Sequence, residues 1–295
     1  MSSSQISSVF QAFRPKTLSA AIVPVVVGSV ASFALFGDFD PRIFWCALLG
    51  AVCIQIGTNL VNDAADFLRG ADGEHRKGPR RLTQSGAMSP RAVLSLGSFF
   101  FLLALGFGVP LVQQGGWTLV VIGLLSVLMG YAYTMGPFPL AYVGLGDLFV
   151  VIFFGVIAVS TTMFLHSGIW APEGVVLGLQ VGLLSTALIA INNLRDHAED
   201  RQAGKKTMAV RLGVTGARWE IALVVYLPYL LSTYWLIPHY SHAAVLPFFA
   251  LFVGIPLVNK IFETEPSPEY NRYLGMASLH TLVFCGLLLW GLWLA

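Results

Sequence analysis

The sequence predicts an all-α integral membrane protein with nine transmembrane helices in one domain, residues 1–295, and three observations carry that expectation. Of 295 residues, 56% are hydrophobic and only 11% charged. Mean hydropathy is +0.74, and the apolar residues fall in runs long enough to cross about 30 Å of hydrocarbon. With nine spans and the N-terminus on the cytoplasmic side, 16 of the 17 Lys and Arg residues fall on inside segments and only Arg42 falls outside. That asymmetry is the positive-inside rule, and it supports both the count and the orientation.

The first span, Thr17 to Phe36, follows a 13-residue leader and the bases Arg14 and Lys16. At 20 residues it reads as a span and not as the short core of a cleaved signal. Ahead of it, Ile6, Val9, Phe10 and Phe13 recur at helical spacing, which suits either a short interfacial helix or a disordered tail. Five spans follow: Ile43 to Val61, Ala92 to Val112, Trp117 to Met135, Leu148 to Leu165 and Val175 to Leu194. Ile221 to Ile237, Ala243 to Val258 and Tyr273 to Leu294 complete the set, the shorter ones requiring tilt or a thin bilayer. Cys46, Cys53 and Cys285 lie inside spans without ligand spacing, so they read as small apolar residues. The six histidines show no pairing that suggests zinc or a proton relay.

Residues 63–91 and 195–220 hold 20 of the 32 charged residues, and both stretches belong to the cytoplasmic face. Each adjoins an acidic helix end. Asn59, Asn62, Asp63 and Asp66 close span two, while Asn192, Asn193, Asp196 and Asp200 close span six. On a helix the first set spans roughly a 100° arc, and Asn192, Asp196 and Asp200 advance by about 40° each. Carboxylates at a bilayer edge cost free energy unless neutralised. Carboxylate and amide oxygens without His or Cys suit Mg²⁺, which completes its shell with waters and substrate phosphates. The four-span separation hints at two repeated units.

Bases follow each cluster: Arg76, Lys77, Arg80 and Arg81 after the first, Lys205, Lys206 and Arg211 after the second, among Gly70, Gly73, Gly78 and Gly204. Acids that hold metal beside bases that hold anionic oxygen make a diphosphate site. Solvated juxtamembrane bases that attract anionic lipid are the plainer alternative, and they leave the paired acidic helix ends unexplained. Asn62 and Asn192 read as metal or diphosphate ligands, with helix-packing hydrogen bonds as the competing role. Asp63 and Asp72 read as ligands acting directly or through water. Asp147, the one acid of an otherwise uncharged inner loop, marks the acceptor end of a cavity unless it is merely solvated, and Tyr131, Tyr133 and Tyr142 are nearby phenols able to bind hydroxyls or to anchor at the interface.

These residues also carry a resemblance. The chain resembles the UbiA superfamily of intramembrane aromatic prenyltransferases, which have nine helices and two Asp-rich motifs. Asn62, Asp63 and Asp66 match the N-D-x-x-D part of the first motif, with Gly70 where a third Asp stands and Asp72 following in G-A-D. Asp196 and Asp200 match D-x-x-x-D. RPKTLSAAIVPVVVG (14–28), GPRRLTQSG (78–86), YTMGPFPLAYVGLGD (133–147) and NNLRDHAEDRQAGKKTMAVRLG (192–213) are similar to the branch that prenylates 1,4-dihydroxy-2-naphthoate.

The resemblance implies transfer of a polyprenyl group from polyprenyl diphosphate to that acceptor, with loss of CO₂ and diphosphate, in the cell membrane. It implies Mg²⁺ held by Asn62, Asp63, Asp66, Asp72, Asp196 and Asp200. Asp66, Asp196, Asp200 and Asp147 are the implied catalytic groups, and Asn62, Asn192, Lys205, Arg81, Arg14 and Tyr133 the implied substrate contacts. The lipid tail would lie in an apolar trough open to the bilayer, and no nucleic-acid partner is expected. Other acceptors, 4-hydroxybenzoate or homogentisate, would keep the same site. An ion-coupled transporter would also use intramembrane acids. Transporter acids sit near the middle of broken helices, whereas these close their helices.

Overall fold

The computed structural model describes residues 12–70, 81–236 and 240–294. The described residues are helical throughout their ordered elements, without a strand. Eight helices are long and apolar enough to cross a bilayer, and a ninth, of 16 residues, is shorter. We number the helices α1 (Pro15–Phe36), α2 (Pro41–Leu68), α3 (Pro90–Gly115), α4 (Trp117–Ala132), α5 (Gly146–Ser167), α6 (Pro172–Arg195), α7 (His197–Gln202), α8 (Met208–Leu231), α9 (Ser241–Glu263) and α10 (Tyr270–Trp293). Helix α4 is the shorter apolar helix, and α7 is a short polar one.

Local chemistry starts and stops these helices. Proline at the first turn opens α1, α2, α3 and α6, where its missing N–H costs nothing. Asp40 caps α2 by accepting from the backbone N–H of Arg42 at 2.7 Å, and Ser89 caps α3 through Ala92. Gly37, left-handed at φ 79°, ends α1.

Three departures from the sequence reading have physical causes. The fourth span is shorter than expected because the chain leaves helix at Tyr133 and turns at Gly136. The seventh begins earlier, at Met208, where the Thr207 hydroxyl caps the first turn, and Gly213 then breaks it with φ 72° and ψ 174°. The loop expected between spans six and seven also contains α7.

The best-buried packing lies in the second half. Trp235, Phe284, Leu177 and Leu184 join α1, α5, α6, α8 and α10 in one core. Several polar side chains there are paired, as a low-dielectric interior favours. Gln180 donates to the Pro228 carbonyl (3.1 Å) and Ser232 (3.0 Å), and accepts from the Trp235 indole (3.2 Å). His280, which the sequence left without a role, shares a hydrogen bond with Tyr229 at 2.6 Å. Cys53 and Cys285 are buried free thiols, as expected of apolar stand-ins.

Helices α5 and α6 meet along a glycine seam. Gly174, Gly178 and Gly182 recur every four residues on α6, and a Cβ added to Gly155 of α5 would stand 2.6 Å from the Gly182 Cα. The backbones therefore touch, in the close approach that small residues permit in membranes. Opposite them, α3 and α4 contribute few buried side chains. Exposed Phe252, Trp117, Leu102 and Trp293 face outward, as lipid-contacting residues do.

Candidate active site

One cavity of about 760 Å³ runs from the acidic helix ends into the apolar middle of the bundle. Its polar end brings together Arg14, Asn62, Asp66, Arg81, Asn192, Asp196, Asp200 and Lys205, and the end of α4 and the first turns of α5 add Tyr133, Asp147, Phe149, Phe153, Phe154 and Ile157. Residues far apart in sequence thus share one space.

The first acidic segment is the last two turns of α2, where Asn62, Asp63 and Asp66 are all buried. The chain returns at residues 81–83 and docks against them. Arg81 donates to the Asn62 backbone carbonyl at 2.9 Å and to its Oδ1 at 3.4 Å, and pairs with Asp66 Oδ2 at 2.9 Å. Asp66 also accepts from the Tyr142 hydroxyl at 2.8 Å. Burial, and then the Asp66 carboxylate, raise the Tyr142 pKa, so the phenol stays protonated and donates.

Lys205 is the link between the two motifs. Its ammonium lies 3.7 Å from Asp66 and 3.8 Å from Asp200, so the end of α2 and α7 share one cation. The Asp200 carbonyl accepts from the Lys205 N–H at 2.8 Å, which folds the loop after α7 back over the acids. Asp196 caps α6 and is gripped by Arg195. Asn192 turns its amide nitrogen to the Leu188 carbonyl at 3.1 Å, leaving its Oδ1 for the cavity. The inner loop is stapled to both motifs: Arg69 donates to the Gly136 carbonyl (3.0 Å), and the Lys206 N–H to the Tyr142 carbonyl (3.0 Å).

The structure gives Asp63 a different employment from the one its spacing suggested. Its Oδ2 accepts from the Leu82 N–H at 2.9 Å, and its Oδ1 accepts from the Thr83 N–H and the Thr83 hydroxyl. Asp63 is the clamp that holds segment 81–83, and it is not among the residues lining the cavity. Asp72 lies outside the described residues, as does the segment containing Ile6, Val9 and Phe10. Tyr131 bonds to Ser98 at 2.7 Å and stacks on Phe101, which is packing.

Asp147 opens α5, is 7% exposed, and has an Oδ1 without a hydrogen-bond partner among the described residues. The Tyr133 hydroxyl reaches the neighbouring Gly146. Arg14 lines the same cavity from a left-handed backbone, φ 52°, which a non-glycine residue holds at a cost of about 1–3 kcal/mol. Gln55, Thr161 and Ser185 are cavity-lining groups that sequence reasoning missed, each with a buried oxygen lacking a partner among the described residues. Lone polar residues in apolar runs were their only signal.

A model of the UbiA prenyltransferase family matches residues 21–278, most of the chain. The chain belongs to the UbiA prenyltransferase family. Among its relatives, 1,4-dihydroxy-2-naphthoate octaprenyltransferase of Bacillus subtilis is 31% identical over 249 residues, covering 84% of this chain and 78% of that protein. The Escherichia coli enzyme of the same name is 36% identical over 227 residues, 74% and 73% of the two chains. A UbiA homolog from Archaeoglobus fulgidus bound to GPP and Mg²⁺ shares the fold, with TM-score 0.69 at 16% identity over 95% of this chain and 99% of that one. The UbiA-type bundle expected from the motifs is therefore the fold, and the chain is a multi-pass membrane prenyltransferase. The family's acids close their helices here, Asp66 in the last turn of α2 and Asp196 just beyond α6, unlike the mid-helix acids of a transporter.

Proposed function

We propose that the chain transfers a polyprenyl group from polyprenyl diphosphate to 1,4-dihydroxy-2-naphthoate, releasing diphosphate and CO₂. The observation that carries this reading is the convergence of both acidic motifs on Lys205, on a cavity whose lining is otherwise largely apolar. The acceptor is the one used by the Bacillus subtilis and Escherichia coli relatives, by their names.

The donor set fits a hard cation. Asn62, Asp66, Asn192, Asp196 and Asp200 offer carboxylate and amide oxygens on one cavity, and no cluster of three or more His, Cys, Asp or Glu residues poised for metal occurs among the described residues. A site lacking an all-protein cage is the kind Mg²⁺ uses when substrate phosphates complete its shell. Asn62, Asp66, Asn192, Asp196 and Asp200 would hold Mg²⁺, which supplies charge neutralisation to a departing diphosphate.

The chain's own groups do the rest. Arg81 and Lys205, fixed beside Asp66, present cationic donors to diphosphate oxygens, and Arg14 approaches from the α1 side. Phe149, Phe153 and Ile157 give the tail an apolar bed and keep water from the allylic carbon. The electron-rich ring then bonds that carbon as the C–O bond breaks, and the carboxylate departs as CO₂, leaving the C–C bonding pair on the ring to restore aromaticity. Tyr133 and Asp147, on the same cavity, suit the acceptor hydroxyls.

The test is incubation of purified protein with Mg²⁺, a polyprenyl diphosphate and either 1,4-dihydroxy-2-naphthoate or 4-hydroxybenzoate, with products weighed by mass spectrometry. The first should be prenylated with release of CO₂ and the second poorly used. Asp147→Asn should raise the acceptor KM while leaving that for the diphosphate near normal. Efficient prenylation of 4-hydroxybenzoate without decarboxylation would overturn the acceptor.

We place the site on the cytoplasmic face, as the basic asymmetry supports. In a background lacking Cys46, Cys53 and Cys285, single cysteines at exposed Ser85 and Gln202 should label from the cytoplasmic side, and one at Gln114 from the other. Labelling of Ser85 and Gln202 from opposite sides would contradict a shared site.

A further inference from the structure

We propose that Arg195 and Asn271 form a two-residue brace that sets the position of Asp196, so that the last helix helps to build the diphosphate site. The inference rests on the reading of Asp196 as a metal and diphosphate ligand, and deepens it. Arg195 is 2% exposed at the end of α6, and it lines the cavity together with Asp196. Its guanidinium grips the adjacent carboxylate with two parallel bonds: Nε donates to Oδ1 at 2.7 Å and Nη2 to Oδ2 at 2.7 Å. Adjacent residues seldom reach each other this way along a continuing helix. Here the backbone has left helical geometry at Asp196, with φ −93° and ψ 9°.

The third bond fixes the guanidinium itself. Nη1 donates to Asn271 Oδ1 at 2.7 Å, 76 residues away at the start of α10. Asn271 is held in turn, its amide nitrogen donating to the Pro268 carbonyl at 2.8 Å. The chain of contacts runs from the 264–270 turn through Asn271 and Arg195 to Asp196, each link with a defined direction. A planar guanidinium in a bidentate pair fixes the carboxylate plane as well as its distance, which a lysine cannot do. Arg195 also offsets the charge of Asp196 in a site already crowded with acids.

Arg195 and Asn271 are thus positioning residues. Asn271→Ala removes the outer anchor without touching the charges, and Asn271→Asp keeps an acceptor for Nη1. The experiment is titration of the full-length protein in detergent or nanodiscs with Mn²⁺ and geranyl diphosphate, reading bound Mn²⁺ by electron paramagnetic resonance, with thermal unfolding followed in parallel. Asn271→Ala and Arg195→Lys should weaken Mn²⁺–diphosphate binding by on the order of 10-fold, the worth of one or two charge-assisted hydrogen bonds. Asn271→Asp should bind as the unmodified protein does.

In steady state Asn271→Ala should raise the KM for prenyl diphosphate more than it lowers kcat. Equal binding by Asn271→Ala, Arg195→Lys and the unmodified protein would overturn the brace. So would weakened binding that tracks a lowered unfolding temperature and is not restored by Asn271→Asp. Failure of the unmodified protein to bind Mn²⁺ with geranyl diphosphate would instead remove the metal–diphosphate reading on which the brace depends.

Discussion

Asp66→Asn is expected to reduce prenyl transfer by on the order of 10² to 10⁴, several kcal/mol of transition-state stabilisation, with the protein still folded in the membrane. Asp66 is the most connected acid of the site. It is 1% exposed, accepts from Tyr142, pairs with Arg81 and lies beside the lysine that also faces Asp200. Asparagine keeps the shape and an acceptor for Arg81 but removes the charge that a metal–diphosphate site requires. Asp66→Ala should add a structural penalty of about 3–5 kcal/mol, because buried Arg81 loses its counter-charge and Lys205 is left with Asp200. Comparing turnover and thermal midpoint in the two variants separates these effects. Near-normal turnover in Asp66→Asn, and likewise in Asp196→Asn and Asp200→Asn, would remove the acids from the reaction.

Asp63→Ala is expected to cost about 3–5 kcal/mol in stability, the scale of unmaking several buried hydrogen bonds to a charged acceptor. The mechanism is release of segment 81–83, which Asp63 holds through Leu82 and Thr83. Arg81 then loses its fixed position against Asp66. Thr83→Val should give a smaller loss of the same kind, about 1–2 kcal/mol, and the pair should be non-additive because both act on one contact. The KM for prenyl diphosphate should rise with each, through Arg81. The Mg²⁺ concentration giving half-maximal activity should shift in Asp66→Asn and stay near its original value in Thr83→Val. A Mg²⁺ shift in Asp63→Asn at unchanged stability would restore Asp63 as a metal ligand.

Much of this was written in the chain. The span count follows from hydropathy alone, since a run of apolar residues needs no partner to declare itself, and alternating spans place both acidic ends on one face. Asp66, Asn192, Asp196 and Asp200 drew notice because polar side chains at the end of an apolar helix have to be explained locally, and the structure brings the four to one cavity. Asp63 was not. Its helical phase places it with Asn62 and Asp66, and only the return of residues 81–83, about 20 positions later, shows that its oxygens are committed elsewhere. Tyr142 likewise read as an anchor or acceptor phenol, and its bond to Asp66 spans 76 residues. After Trp219 the sequence offered only generic spans, yet Asn271 reaches the site through a single contact of the kind that no periodicity encodes.

The glycine seam has a mechanical consequence. Helix α5, which carries Phe149, Phe153 and Ile157 into the cavity, rests backbone to backbone on α6, and any inward or outward movement of it must carry α6 as well. Across the cavity, Gly108 and Gly123 have open space where a side chain would stand, although α3 itself packs closely along α2 where Gly57 and Gly97 meet. The binding space therefore has one wall closed backbone to backbone and one that keeps unfilled room at Gly108 and Gly123. A longer prenyl tail is expected to use the open space at Gly108 and Gly123, while the aromatic side, where ring and allylic carbon must meet, keeps its dimensions.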